Sequence, residues 1–173
     1  MKELTFGNLG ALVIGVGLTA FWIAESMAHE EAVFPMPTGK AYVAECGACH
    51  TAYAPGLLPE RAWRRMMSEL DNHFGEDASL DDAERDRLAA QVFSLAADSS
   101  QAGMLMKRIA MAIPVSQTPQ RISTTPFCKY MHDEVPGYIW KRAKVGGPAN
   151  CIACHGRANE GNYDEREVRI PKS

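Results

Sequence analysis

The pentapeptide Cys-X-X-Cys-His occurs twice in this chain, as Cys46-Gly47-Ala48-Cys49-His50 and as Cys151-Ile152-Ala153-Cys154-His155. Thiols at this spacing add across the two vinyl groups of one porphyrin. The histidine that follows is then held beneath the metal, where its ring binds iron as the proximal ligand. The chain has five cysteines, and the two motifs take all but Cys128. A zinc ribbon or a pair of disulfides would also use CxxC pairs. The interval between the pairs is longer than in a ribbon, however, and zinc gives no reason for a histidine after each. The motifs therefore read as two covalent haem c groups, fastened through Cys46, Cys49, Cys151 and Cys154, with His50 and His155 as proximal ligands.

Such haems are attached outside the bacterial inner membrane, and the N-terminus fits that route. After Met1-Lys2-Glu3, the 21 residues Leu4 to Ala24 carry no charge. A run of that length spans a bilayer core of about 30 Å and exceeds the usual signal-peptide core of about 7–15 residues. Ser26-Met27-Ala28 nevertheless offers the small residues a signal peptidase reads. Residues 1–28 are thus either a cleaved signal peptide or a retained transmembrane anchor, and the length of the run, with Trp22 near its outer end, favours the anchor. In either case residues 29–173 face the periplasm as one domain.

The periodicity is helical throughout, with no clean strand alternation. Thr38 is placed to cap a short helix leading into the first motif. A helix is expected over Glu60 to Phe74 on the stripe Trp63, Met66, Met67, Leu70 and Phe74. Ser79-Leu80-Asp81-Asp82 reads as a capping box opening a helix to about Ala97, with Leu88, Val92 and Leu95 as its buried edge. Met104 to Ile113 reads as a short helix stopped by Pro114. Thr125-Pro126 starts another, continued by Phe127 to Asp133, and Pro136 opens a last one through Trp140 to Ala143. The fold class is mostly α: a small class I-like dihaem domain of short helices and long loops, preceded by one N-terminal apolar helix. It divides into a first haem region (38–98), a connector (99–124) and a second haem region (125–173).

The net charge of −3 gives no reason to expect a nucleic-acid partner, but its distribution is uneven. Residues 60–98 hold ten acidic and five basic side chains, whereas residues 99–150 hold two acidic and seven basic. Opposed fields of this kind orient partners on encounter, although ordinary solvated helix faces produce the same count.

Each iron needs a sixth ligand unless it is to bind a small molecule. The chain has five histidines. His50 and His155 are proximal and His29 lies at the export boundary, which leaves His73 and His132 as distal ligands, one per iron. The rivals are methionine (Met66, Met67, Met104, Met106, Met111 and Met131), Cys128 as a thiolate four residues before His132, and an open iron. Pairing nearest in sequence gives His50 with His73 and His132 with His155. A crossed pairing would tie the halves together.

Asp71-Asn72-His73-Phe74-Gly75-Glu76-Asp77-Ala78-Ser79-Leu80 resembles the central motif of the bacterial dihaem cytochrome c family. His132-Asp133-Glu134-Val135-Pro136, Gly147-Pro148-Ala149-Asn150 running into Cys151 to His155, and Val168-Arg169-Ile170-Pro171 resemble its later motifs. The likeness covers roughly residues 38–171. It implies a periplasmic carrier that relays single electrons through two low-potential haems, both bis-histidine, with His73 and His132 distal. It also implies redox partners such as a small oxygen-binding monohaem cytochrome or a b-type membrane cytochrome. Cys128 and the long N-terminal segment depart from that pattern. The reading is an electron carrier and not an enzyme. The alternatives are a dihaem enzyme of peroxidase or sulfur-oxidising type, and an electron-transfer subunit of a larger membrane respiratory or photosynthetic complex.

Overall fold

Prolines and caps decide where the helices of this chain begin. A computed structural model of the protein describes residues 32–172. The apolar segment at residues 4–24 and the cleavage site before His29 lie outside that range. Six short helices follow one another: α1 (Ala41–Cys46), α2 (Glu60–Ser68), α3 (Asp82–Ser94), α4 (Met104–Met111), α5 (Pro126–Met131) and α6 (Gly137–Trp140). Single 3-10 turns at 55–57, 70–72, 122–124, 151–153, 158–160 and 165–167 connect them or trail the last. Among the described residues there is no strand, only the isolated bridges Val33–Asn162 and His73–Glu76. None of these helices is long and apolar enough to cross a membrane.

The caps follow side-chain chemistry. Asp81 accepts a hydrogen bond from the Glu84 amide at 3.0 Å and opens α3. Thr125 caps α5 by accepting from the Cys128 amide at 3.3 Å, with Pro126 at the first helical position. Thr38 does not cap α1. That helix starts after Lys40 with no side-chain cap.

Several expected helices prove shorter, with α4 ending at Met111, α5 at Met131 and α6 at Trp140. α3 ends at Ser94, because the chain turns so that the Ala97 amide reaches the Leu58 carbonyl at 2.9 Å. α2 ends at Ser68 instead of running to Phe74. Phe74 has φ +58°, a left-handed conformation in which a helix cannot continue, and Gly75 follows at +99°. The His73 amide donates to the Glu76 carbonyl at 2.8 Å and the Glu76 amide returns to the His73 carbonyl at 3.2 Å. His73 is therefore presented on a tight turn and not on the buried stripe of a helix. Phe74 is half exposed, with the Arg121 guanidinium 4.1 Å above its ring.

Two apolar clusters form the core. The first joins α2 and α3 through Tyr42, Leu58, Trp63, Leu88, Val92 and Ile113. Trp63 is committed to this cluster, its indole N–H donating to the Pro55 carbonyl at 2.7 Å. The second joins Phe34, Leu57, Ala102, Met106 and Ile109, so it seats α4 against the 55–57 turn. The guanidinium of Arg61, on α2, spans the end of α4 and donates to the carbonyls of Ile113, Pro114 and Gln117 at 3.1, 3.0 and 2.8 Å. Among the described residues beyond Ile113, the buried hydrophobic ones are Ile139, Val145 and Ala158. The second haem region thus has almost no polypeptide core of its own.

The segment 32–34 is clipped to the far end of the chain. The Phe34 amide donates to the Gly161 carbonyl and the Tyr163 amide to the Ala32 carbonyl, both at 2.8 Å. Gly161 has φ +78°, and a Cβ there would sit 2.2 Å from the Phe34 carbonyl oxygen. The clash is with backbone, so it cannot be relieved by a rotamer change. Gly161→Ala is expected to cost about 2–3 kcal/mol of stability, read as a fall in the denaturation midpoint of the holoprotein. An unchanged midpoint would mean that this clip is not formed.

Candidate haem-binding sites

α1 delivers the first motif. It ends at Cys46, where Gly47 donates to the Val43 carbonyl at 3.0 Å. A side chain at Gly47 would meet that oxygen at 2.3 Å, so the turn into Cys49 and His50 requires glycine. The second motif forms a 3-10 turn, Cys151–Ala153, closed by the His155 amide donating to the Cys151 carbonyl at 2.8 Å. In each motif the first cysteine is the more buried. Burial pushes the Cys46 thiol up to about 11 and the Cys151 thiol up to about 12. A thioether has no proton to lose, so alkylated sulfurs fit these dry positions where free thiolates would not.

The imidazoles come together in two pairs. The rings of His50 and His73 have centroids 5.9 Å apart and planes 30° apart. Those of His132 and His155 lie 6.1 Å apart with planes at 75°. An iron at about 2 Å from one nitrogen of each ring separates the centroids by about 6 Å. The spacing of both pairs therefore fits a metal between them, and the pairing is the one nearest in sequence.

Backbone carbonyls orient two of the four rings. Nδ1 of His50 donates to the Thr51 carbonyl at 2.7 Å. Nδ1 of His132 donates to the Cys128 carbonyl at 2.8 Å. A carbonyl only accepts, so Nδ1 carries the proton and Nε2 keeps the lone pair. Nδ1 of His155 is buried with no hydrogen-bond partner. Its ring lies 5.4 Å from that of Tyr163. Burial, then the neighbouring His50 and Arg121, lower the pKa of His73. Burial and His132 lower that of His155 against the opposing pull of Glu165. Both rings are thereby biased toward the neutral form that binds metal.

Met106 is in one core cluster, Met66 and Met67 pack against the other, and Met104, Met111 and Met131 are exposed. Cys128 is half-buried, with Sγ 3.7 Å from Nδ1 of His132. The thiol therefore sits behind that ring, on the side away from the free Nε2. A sulfur-oxidising enzyme with Cys128 on iron would need the opposite arrangement. Among the described residues, no group of three or more His, Cys, Asp or Glu is gathered to hold a bare metal ion.

Several residues that join the two sites carry no sequence signal. Thr51 is buried, and its hydroxyl accepts from the Ile152 amide at 3.4 Å, inside the second motif. The Ala52 amide donates to Asn159 Oδ1 at 2.9 Å. Tyr53 stacks on His50 at 5.0 Å and 19°, and its hydroxyl donates to the Ala149 carbonyl at 2.6 Å. The stretch after the first motif is thus bonded to the residues that flank and form the second. A cleft lined by Cys49, His50, Thr51, Ile152 and Asn159 runs between them. Trp140 stands 5.8 Å from His132.

A family model described as dihaem cytochrome c matches residues 42–163. Among solved structures, a diheme cytochrome c from Rhodobacter sphaeroides is 41% identical, with a TM-score of 0.64 over 76% of this chain and 100% of its own. A second structure, of DHC purified from Rhodobacter sphaeroides, is 39% identical, with a TM-score of 0.60 over 75% of this chain and 100% of that one. A diheme cytochrome from Shewanella baltica is 35% identical, with a TM-score of 0.60 over 76% of this chain and 91% of its own. No curated protein sequence matches.

Ala52 is fully buried, so removing its acceptor leaves an unpaired amide. Asn159→Ala is expected to lower stability by about 1–3 kcal/mol. Denaturant unfolding followed at the haem absorbance checks this. A midpoint equal to the parent's would show that the contact carries no weight.

Proposed function

Because the chain belongs to the dihaem cytochrome c family and so carries two covalent haem c groups, we propose that it relays single electrons on the periplasmic side of the inner membrane. In this reading Cys46 and Cys49 fasten the first haem and Cys151 and Cys154 the second. His50 and His73 grip one iron, and His132 and His155 the other. The observation that carries the reading is the spacing of the two ring pairs, 5.9 and 6.1 Å. Bound haem supplies reversible one-electron exchange between ferric and ferrous iron.

The chain contributes position and field. Thr51 and Cys128 hold their histidines in the tautomer that leaves Nε2 free. Imidazole on both faces favours a lower potential than a His/Met pair. Imidazole on both faces of each iron leaves no coordination position to open, which favours transfer over catalysis. The hydrogen bonds from Thr51, Ala52 and Tyr53 keep the two sites at a constant separation, as successive transfer from one to the other requires.

The charge asymmetry supports two docking faces. All five arginines of residues 60–98 are already paired with acidic neighbours, on α2, on α3 or at Asp98. Asp71 and Glu76 make no ion pair among the described residues, and they flank His73. A partner with a basic surface would therefore approach the first site. A small monohaem cytochrome or a b-type membrane cytochrome is the kind of partner proposed. Residues 1–28 are proposed to remain as an anchor, on the strength of the 21-residue uncharged run.

Low-temperature paramagnetic resonance of the oxidised holoprotein tests the ligation. Two low-spin signals are expected, and they should differ, because one ring pair is tilted by 30° and the other by 75°. His73→Ala and His132→Ala should each change one signal and leave the other. Cys128→Ala should change neither, since it is the Cys128 carbonyl that holds His132. If both histidine variants keep the parent spectrum, the assignment is wrong.

A further inference from the structure

Two chains of contact lead away from His50, and both end in the second motif. Along the first, Nδ1 of His50 donates to the Thr51 carbonyl at 2.7 Å, and the Thr51 hydroxyl accepts from the Ile152 amide at 3.4 Å. That last contact is longer than an ordinary N–H···O bond. The second runs through Tyr53. Its ring stacks on the His50 imidazole, with centroids 5.0 Å apart and planes at 19°. Its hydroxyl donates to the Ala149 carbonyl at 2.6 Å, and the Cys151 amide donates to the same carbonyl at 3.1 Å. Cys151 is the first cysteine of the second motif. A ligand ring of one site and an attachment point of the other are thus joined by one ring stack, two hydrogen bonds that meet at one oxygen, and the bonds within Cys151.

Tyr53 is built to stay in this place. Its side chain packs against the cluster around Trp63 and Leu58, and its own carbonyl accepts from the Tyr42 hydroxyl at 2.5 Å. Tyr42 is buried in that cluster. Burial pushes the Tyr53 phenol up to about 12. The Ala149 carbonyl that receives its hydrogen bond is no base and takes no proton from it. A phenol that cannot release its proton is hard to oxidise, so Tyr53 can pass electronic coupling without trapping an electron vacancy. Coupling of this kind falls off more slowly along bonds and hydrogen bonds than across an equal gap.

We propose that Tyr53 is the electronic bridge between the two haem sites, its ring taking up coupling from the His50 imidazole and its hydroxyl passing it through Ala149 to Cys151. One electron leaves the first centre, which goes from ferrous to ferric, and reaches the second, which goes from ferric to ferrous. No proton moves, and Tyr53 is unchanged. This bridge presupposes the relay reading, with His50 and His73 on one iron, and the resonance spectrum of the parent judges that reading separately.

Nuclear magnetic resonance of the partly reduced holoprotein tests the bridge. Exchange of one electron between the centres broadens the shifted haem methyl signals, and the part that persists on dilution is intramolecular. The rate is compared among the parent, Tyr53→Phe and Tyr53→Leu. Both reduction potentials are measured in each, so that a change in driving force is not taken for a change in coupling. Magnetic interaction between the two ferric centres reports their separation. At unchanged separation, Tyr53→Phe should lose part of the parent rate, because it keeps the ring and lacks the hydroxyl bond. Tyr53→Leu should lose more. Tyr53→Phe decides alone if the leucine variant does not mature. A parent rate in Tyr53→Phe overturns the proposal, because the electron then passes by Thr51 or directly between the porphyrins. A slower rate with an altered separation also overturns it, because Tyr53 is then a spacer and not a bridge.

Discussion

The second half of this domain depends on a core that its own side chains do not supply. After Ile113 the described chain buries three hydrophobic residues, Ile139, Val145 and Ala158. Burying so few side chains does not offset the conformational entropy of ordering this length of chain. A covalent porphyrin in each site supplies the missing apolar surface. This accords with α5 and α6 being short helices, α5 capped by Thr125 ahead of Pro126 and α6 opening after Pro136. They bring His132 and Trp140 within 5.8 Å of each other beside the second motif.

The first half is built differently, and that difference matters for how the two sites stay in register. α2 and α3 pack on each other around Trp63, Leu88 and Val92 and form a conventional helical core. From this rigid body the stretch Thr51 to Tyr53 reaches across to Ile152, Asn159 and Ala149. The weakly cored half is thus held by polar contacts to the well-cored half. Such contacts specify geometry more than they add stability, since each is worth about 1 kcal/mol net. A relay needs fixed geometry, because transfer between sites falls off steeply with separation. The tail contributes as well: the Arg169 amide donates to the Cys154 carbonyl, and Arg142 to that of Pro171.

What the sequence made legible was local. The Cys-X-X-Cys-His motifs, the Asp81 and Thr125 caps and the helix over Met104 onward depend on residues a few positions apart. The closeness of the His50 and His73 rings is local in the same sense, since only 23 positions separate them. His73 itself was misplaced. Leu70 and Phe74 continue the apolar periodicity of α2, and nothing in a phenylalanine announces φ +58°. The contacts of Thr51 and Asn159 were invisible for another reason. Their partners lie 101 and 107 residues away, and a single threonine or asparagine has no pattern to detect.

The same contrast between halves orders the surface. The arginines of α2 and α3 are consumed by ion pairs with nearby acidic side chains, which leaves Asp71 and Glu76 unpaired among the described residues near His73, beside the Arg121 guanidinium stacked on Phe74. The cations of α4 are left free on a face that touches neither site. Charge of opposite sign on separate surfaces favours encounter with differently charged partners at each of them, and salt weakens that preference more than it weakens the packed core.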